Sequence, residues 1–169
     1  IDDDRIKECD WVIHLAGMNR GDVEEIYQTN IQLTSDLLNS ISDDTKVLFA
    51  SSQQAEEDNL YGASKRKCEE MLRDANSHHR SIRIPNVFGP FCKPNYNSFV
   101  ATFCHKLCND EEPEVIVDNT VQLTFVTDVV KMFIEIIETD TINPLPHEFI
   151  KVTEVLEMLK SYKTKYLVD

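Results

Sequence analysis

Glycine is scarce in this chain, with four in 169 residues, and no G-x-G-x-x-G follows any apolar run. Within these residues that excludes the glycine-rich turn that brings a backbone close to a pyrophosphate at a helix start. Basic residues are also outnumbered: 17 Lys and Arg face 30 Asp and Glu, for a net charge of -13. A nucleic-acid partner needs a basic footprint that displaces counterions, so none is expected. A small anionic ligand needs only a local cluster of cations, and Arg20, Lys65, Arg83 and Lys93 are available for one. There is no apolar run of about 18 residues to span a membrane and no charged-then-apolar leader, so the sequence predicts a cytoplasmic protein with no membrane partner. The five cysteines (Cys9, Cys68, Cys92, Cys104, Cys108) are odd in number and lack framework spacing, which points to reduced thiols. Cys104, His105 and Cys108 have no second pair to complete a zinc pattern, so no metal is expected.

What is present is an alternation of short apolar runs with longer amphipathic ones. "WVIHLA" (11–16) and "KVLFASS" (46–52) are continuous apolar runs of the kind found in buried parallel strands. Between them, Val23, Ile26, Tyr27, Thr34, Leu37, Leu38 and Ile41 recur every three or four residues, which marks one face of a helix. A second helix is predicted from about 60 to 75, with Leu60, Cys68, Met71 and Leu72 inward, and "SIRIPNVFG" (81–89) reads as strand and then turn. Further on, 98–109 reads as a helix, and "EVIVD" and "VQLTFV" flank "NT" as a hairpin. Two last helices, 127–138 and 153–162, each open at a threonine able to cap them. "TINPLPHE" (141–148) is the one loop with two prolines and is a candidate boundary. Strand, helix, strand, helix, strand is the order of an α/β parallel sheet, in a chain long enough for about one domain.

The chemistry is concentrated in "YGASK" (61–65). Tyr61 and Lys65 lie one helical turn apart and share a face. A free phenol has a pKa near 10; a neighbouring ammonium and a place in a helix's first turn should both favour the tyrosinate. Such a phenol can give a proton to an oxygen that gains charge, or take one back. Ser51 and Ser52, at the end of a predicted strand, can donate to the same oxygen, and strand ends are where open α/β sheets bind ligands. His14, inside a buried strand, reads as a hydrogen-bonded core histidine, and the Phe and Ile residues between 125 and 137 read as core.

With these residues in view, the sequence resembles the extended short-chain dehydrogenase/reductases, the NAD-dependent epimerase/dehydratase group. "VIHLAG" (12–17) is similar to that family's fourth-strand motif, and "TNIQLTSDLL" (29–38) to its N-x-x-x-T helix. "ASS" with "YGASK" resembles its Ser…Tyr-x-x-x-Lys set, "RIPNVFGP" (83–90) its R-x-x-N-V-Y-G-P, and "TFVTDVV" (124–130) its F-x-x-V-D-D-V segment. A narrower likeness, through "CKPNYNSFVATFCHKL" (92–107) and the short gap from serine to tyrosine, is to the reductase domain of capsular polysaccharide enzymes of UDP-N-acetyl-L-fucosamine synthesis.

The resemblance implies a doubly wound, Rossmann-type parallel sheet lacking its first βαβ unit, with residues 92–169 contributing a small substrate lobe. It implies NADPH or NADH as cofactor, a UDP-sugar as substrate, and reduction of the 4-keto group of a UDP-linked 2-acetamido-2,6-dideoxy sugar in polysaccharide synthesis. Ser52, Tyr61 and Lys65 take the catalytic roles, and Ala16, Gly17, Tyr61 and Lys65 the cofactor contacts. Asn86, Arg20 and Lys93 take the substrate contacts, while Asn30 is structural. The full-length protein is expected to be a homodimer, and this chain an internal piece of it or a truncated reading frame. The alternatives are a nucleotide-sugar epimerase and a non-catalytic Rossmann-like fragment that no longer binds cofactor. Dehydration is disfavoured, because Gln53 and Gln54 follow Ser52 where dehydratases commonly carry Asp-Glu.

Overall fold

A computed structural model describes residues 4–76 and 78–166. The chain divides into two compact units after Ile84, not in the proline-bearing loop at 141–148. In the first unit, β1 (Trp11–His14), β2 (Lys46–Ser52) and β3 (His79–Ile84) form a parallel sheet in the order β1-β2-β3. Parallel neighbours need a crossover, and α1 (Val23–Leu38) and α2 (Leu60–Ala75) supply the two. Val47, Leu48 and Phe49 of β2 are buried on both faces, as the central strand of such a sheet requires. Val47 and Phe49 pack with Leu37 of α1 and with Cys68 and Leu72 of α2.

The helices begin where the sequence offers caps. Asp22 accepts from the amides of Glu24 and Glu25 at 3.0 and 3.1 Å, and those two glutamates place negative charge at the positive end of α1. The buried stripe of α1 is Ile26, Asn30, Thr34 and Leu37, so a polar asparagine stands among the inward positions. Val23, expected inward, is exposed, and the helix ends at Leu38 rather than at Ile41. Leu60, also expected inward, is exposed at the start of α2. β1 stops at His14, two residues before the end of its apolar run.

In the second unit, β4 (Asn86–Phe88), β5 (Thr120–Phe125) and β6 (Glu148–Lys151) form another sheet in the order β4-β5-β6. β4 and β5 are parallel; β5 and β6 are antiparallel. The run 81–89 is therefore not one strand, since Pro85, which lacks an amide hydrogen, separates two strands that belong to different sheets. Three helices complete the unit: α3 (Phe99–Cys108), α4 (Val126–Thr139) and α5 (Val152–Tyr166). α3 and α5 pack through Phe103, Leu107, Val152 and Leu156, and Ser98 caps α3.

The expected hairpin does not form. Both sides of β5 are taken by β4 and β6, and "EVIVD" is irregular, with Val115 packed on the core and Ile116 exposed. Asp118 in that segment instead accepts from the amide of Thr153 at 3.0 Å and from its hydroxyl. A distant aspartate thus serves the start of α5, and Thr153 is not its cap. Thr127 does not cap α4 either: the helix follows β5 directly from Phe125, without a side-chain cap. No helix among the described residues is long and apolar enough to cross a membrane.

Candidate active site

β2 ends at Ser52, whose Oγ accepts from the Gln54 amide at 3.2 Å and opens a tight turn over Gln53–Glu56. α2 passes close against this turn: a Cβ built on Gly62 would lie 1.9 Å from the Gln54 carbonyl oxygen, so only glycine fits. The Arg66 guanidinium donates to the carbonyls of Ala55 and Glu57, which clamps turn to helix. Asn59 caps α2 through the Gly62 amide at 2.7 Å. The result is that Tyr61, in the first turn of α2, stands near the side chain of Ser52, which pulls its pKa down. Ser52 is thus both a turn cap and a neighbour of the phenol.

One turn on, Lys65 is only 6% exposed. Its Nζ donates to the Ala50 carbonyl at 3.0 Å, lies 4.6 Å from the Phe49 ring centre and 5.9 Å from that of Tyr61. Burial pulls the lysine pKa below its ordinary value, with Cys68 and Glu69 pushing the other way. The tyrosine differs from expectation. Burial raises its pKa, against a smaller downward pull from Ser52. The Lys65 ammonium is instead directed to the Ala50 carbonyl, and the desolvation that a buried phenolate would suffer sets the direction. At neutral pH Tyr61 therefore carries its proton.

Asn30 sits behind this pair with every polar atom in use. Its Oδ1 accepts from the Met18 amide at 2.7 Å, and its Nδ2 donates to the Met18 carbonyl at 3.0 Å and to Ser64 Oγ at 2.9 Å. Ser64 in turn donates to the Tyr61 carbonyl. One side chain of α1 thus ties the loop after β1 to the turn that carries Tyr61, which is the structural role expected of it. In that loop Ala16 and Gly17 are exposed, and a Cβ on Gly17 would lie 3.5 Å from Lys65 Nζ. His14 is buried, bonded through Nε2 to Thr34 Oγ1 at 3.1 Å and stacked on Phe49. Burial first, and Lys65 second, lower its pKa to about 4, so it is a neutral core histidine.

The structure thus brings Ser52, Tyr61, Lys65 and Gly17 together. Ser51 is engaged elsewhere: its hydroxyl donates to Glu69. Arg83 does not serve as a cation for an anionic ligand, because it forks onto Glu69 at 3.0 and 2.7 Å and reaches Glu56 at 3.1 Å. Arg20 is exposed in the loop after β1. Asn86 and Lys93 belong to the second unit; Asn86 donates to the Gln122 carbonyl at 3.3 Å, and Lys93 Nζ stands 5.7 Å from the Tyr96 ring centre. Sequence reasoning missed two features. Glu69 could have been found, since it continues the Tyr61–Lys65 spacing by one more turn. The other is a cavity of about 440 Å³ in the second unit, walled by Leu123, Phe125, Ile150 and Val155 with Asp128 and Glu148 at its polar part. It is assembled from distant segments and carried no local signal.

The sequence profile of the NAD dependent epimerase/dehydratase family matches residues 3–149. The chain belongs to the NAD-dependent epimerase/dehydratase family. A relative in it, the UDP-2-acetamido-2,6-beta-L-arabino-hexul-4-ose reductase of Pseudomonas aeruginosa, is 36% identical over 173 residues, covering 94% of this chain and 46% of the reductase. Among solved structures, the capsular polysaccharide assembling protein CapF of Staphylococcus aureus superposes with a TM-score of 0.76 at 31% identity, over 95% of this chain and 46% of CapF. The UDP-glucuronic acid 4-epimerase of Bacillus cereus, solved with UDP-glucuronic acid and NAD, shares the fold at a TM-score of 0.81 and 18% identity, over 95% of this chain and 61% of the epimerase. The chain spans less than half the length of the first two proteins. Membership in the epimerase/dehydratase family accounts for the α/β parallel sheet of the first unit.

Proposed function

We propose that this chain carries the proton-donating site of an NAD(P)H-dependent reductase acting on the 4-keto group of a UDP-linked 2-acetamido-2,6-dideoxy sugar. The observation that carries the reading is Tyr61 placed one turn from the buried ammonium of Lys65, which is anchored on the Ala50 carbonyl, with Ser52 nearby at the end of β2. The likeness to the Pseudomonas reductase supports the choice of substrate. The residues present fit the nicotinamide end of the cofactor. Gly17 leaves the space in front of Lys65 Nζ unfilled by a side chain, and of that group's three protons one goes to the Ala50 carbonyl. Ala16, Gly17, Tyr61 and Lys65 would hold the ribose and nicotinamide, and the cofactor when bound supplies the hydride.

This chain's own side chains then manage the ketone oxygen. Ser52 holds it by hydrogen bond as it gains negative charge. Tyr61 delivers its proton to that oxygen, and Lys65 stabilises the phenolate left behind. Arg20, Asn86 and Lys93 are assigned to the nucleotide sugar, with residues 92–169 as the substrate lobe. The apolar cavity of the second unit, with Asp128 and Glu148 at its polar part, is ill suited to a diphosphate, whose charge those carboxylates repel.

Fluorescence titration of NADH and NADPH into the 169-residue chain, with Tyr61→Phe and Lys65→Ala alongside, tests the reading. Binding that weakens about tenfold or more in Lys65→Ala is the expected result, in line with loss of a charged hydrogen-bond partner. Equal binding by the wild-type chain and Lys65→Ala would remove Lys65 from the cofactor site and the proposal with it.

A further inference from the structure

Three consecutive residues at the end of β2 meet three successive turns of α2. Ala50 accepts from Lys65 through its carbonyl, Ser51 donates to Glu69, and the Ser52 side chain stands near Tyr61. Tyr61, Lys65 and Glu69 are spaced i, i+4 and i+8, so they form one ladder along the helix face. Glu69 is the rung that also reaches the neighbouring strand: Arg83 on β3 grips both its oxygens at 3.0 and 2.7 Å. The arginine–carboxylate fork is planar and directional, and this carboxylate has a side-chain exposure of 13%. A half-buried acid bound by three donors is held in one place and in one ionisation state. Burial pushes its carboxyl up, but the hydrogen bonds from Arg83 and Ser51 outweigh that and keep it below the usual carboxylate range.

We propose that Glu69 is a positioning residue for the Tyr61–Lys65 pair: its ionised carboxylate, fixed by Arg83 and Ser51, locks this face of α2 to the end of β2 and keeps a negative charge one turn from the Lys65 ammonium. The proposal rests on the reading of Tyr61 and Lys65 as the proton-donating pair. Without Glu69, Ser51 loses its acceptor, and Arg83 keeps only Glu56, whose side chain is 73% exposed. Lys65 also loses an anion that opposes its desolvation. The other titratable groups that face Lys65 are Tyr61 and Cys68 on α2 and His14 on β1. β2 presents it only the Phe49 ring and the Ala50 carbonyl. None of these replaces the charge of Glu69, because Tyr61 and His14 are neutral at neutral pH and burial raises the Cys68 thiol.

The test is competitive acetylation of the cofactor-free chain with acetic anhydride from pH 7 to 11. Mass spectrometry of the Lys65 peptide gives the midpoint at which this amine becomes reactive. Glu69→Gln keeps the shape and removes the charge; its midpoint is expected to fall by about half a pH unit or more. Glu69→Asp keeps the charge and is expected to return the midpoint toward wild type, a rescue that loss of packing would not give. Thermal melts confirm that each variant is folded at the temperature used. A midpoint that is the same in wild type and Glu69→Gln overturns the proposal. Since the readout is an ionisation in the absence of cofactor, failure to bind NAD(P)H would sink the proposed function and leave this result standing.

Discussion

Among the described residues, the first unit buries eight polar or charged side chains, His14, Asn30 and Lys65 among them, whereas the second buries two, Ser98 and Thr124. In the second unit the two act separately: Ser98 caps α3, and Thr124 donates to the Pro146 carbonyl. In the first, several bond one another or distant backbone, as Asn30 does to Ser64 and Met18, and Asn30, Ser64 and Lys65 gather around Tyr61. A buried polar group is costly unless paired, and once paired it is geometrically demanding. The concentration of such pairs therefore marks where side chains must be held in place, while the apolar packing of α3 on α5 in the second unit makes no comparable demand.

The sharpest way to break this contrast is Gly62→Ala. A Cβ there collides with the Gln54 carbonyl, and the backbone of a clamped turn has little room to yield, so a loss of about 3 kcal/mol is expected, measurable by urea unfolding. Leu156→Ala, in the apolar core of the second unit, should cost a similar or slightly smaller amount, about 2–3 kcal/mol, but should leave NAD(P)H binding to the first unit's site intact. Asn30→Ala is the polar counterpart. It strands the Met18 amide and Ser64 and should cost about 2 kcal/mol, with cofactor affinity falling as well because the Tyr61 turn loses its brace.

A smaller effect is expected from pH. His14 is neutral when folded, with its pKa depressed to about 4 from the ordinary 6.5. The unfolded chain therefore takes up the proton first. The contribution of neutral His14 is complete above about pH 6.5 and is lost as pH falls from there toward 4. His14→Gln keeps a polar partner for Thr34 without titrating, so its unfolding free energy should fall less steeply over that window than wild type. Smallest of all, Lys131→Ala should change stability by no more than about 0.5 kcal/mol, because its pair with Asp128 spans 3.4 Å at an exposed surface.

The elements most legible in sequence were those with unambiguous periodicity. The span of α2, Leu60–Ala75, and that of β2, Lys46–Ser52, agree with the expected ranges. The short strand β6 gave no such signal, since Glu148, Phe149 and Lys151 are all exposed and only its pairing with β5 makes it a strand. "EVIVD" was the converse case, β-prone in composition yet left outside a sheet whose central strand already had two neighbours. At the site, the Tyr61–Lys65 pair was readable because helix geometry turns a spacing of four into contact on one face. The protonation of Tyr61 was not readable, because it depends on how much water surrounds the phenol.

By itself the sequence determined the α/β order, the face shared by Tyr61, Lys65 and Glu69, and the family, because these follow from local periodicity and motif. Only the tertiary structure decided that Ser51 and Arg83 belong to Glu69, that burial raises the Tyr61 pKa, and that the chain divides at Pro85. The physical reason is common to all three. Desolvation and partner choice depend on which distant segments fill the space around a group, and no spacing along the chain encodes that.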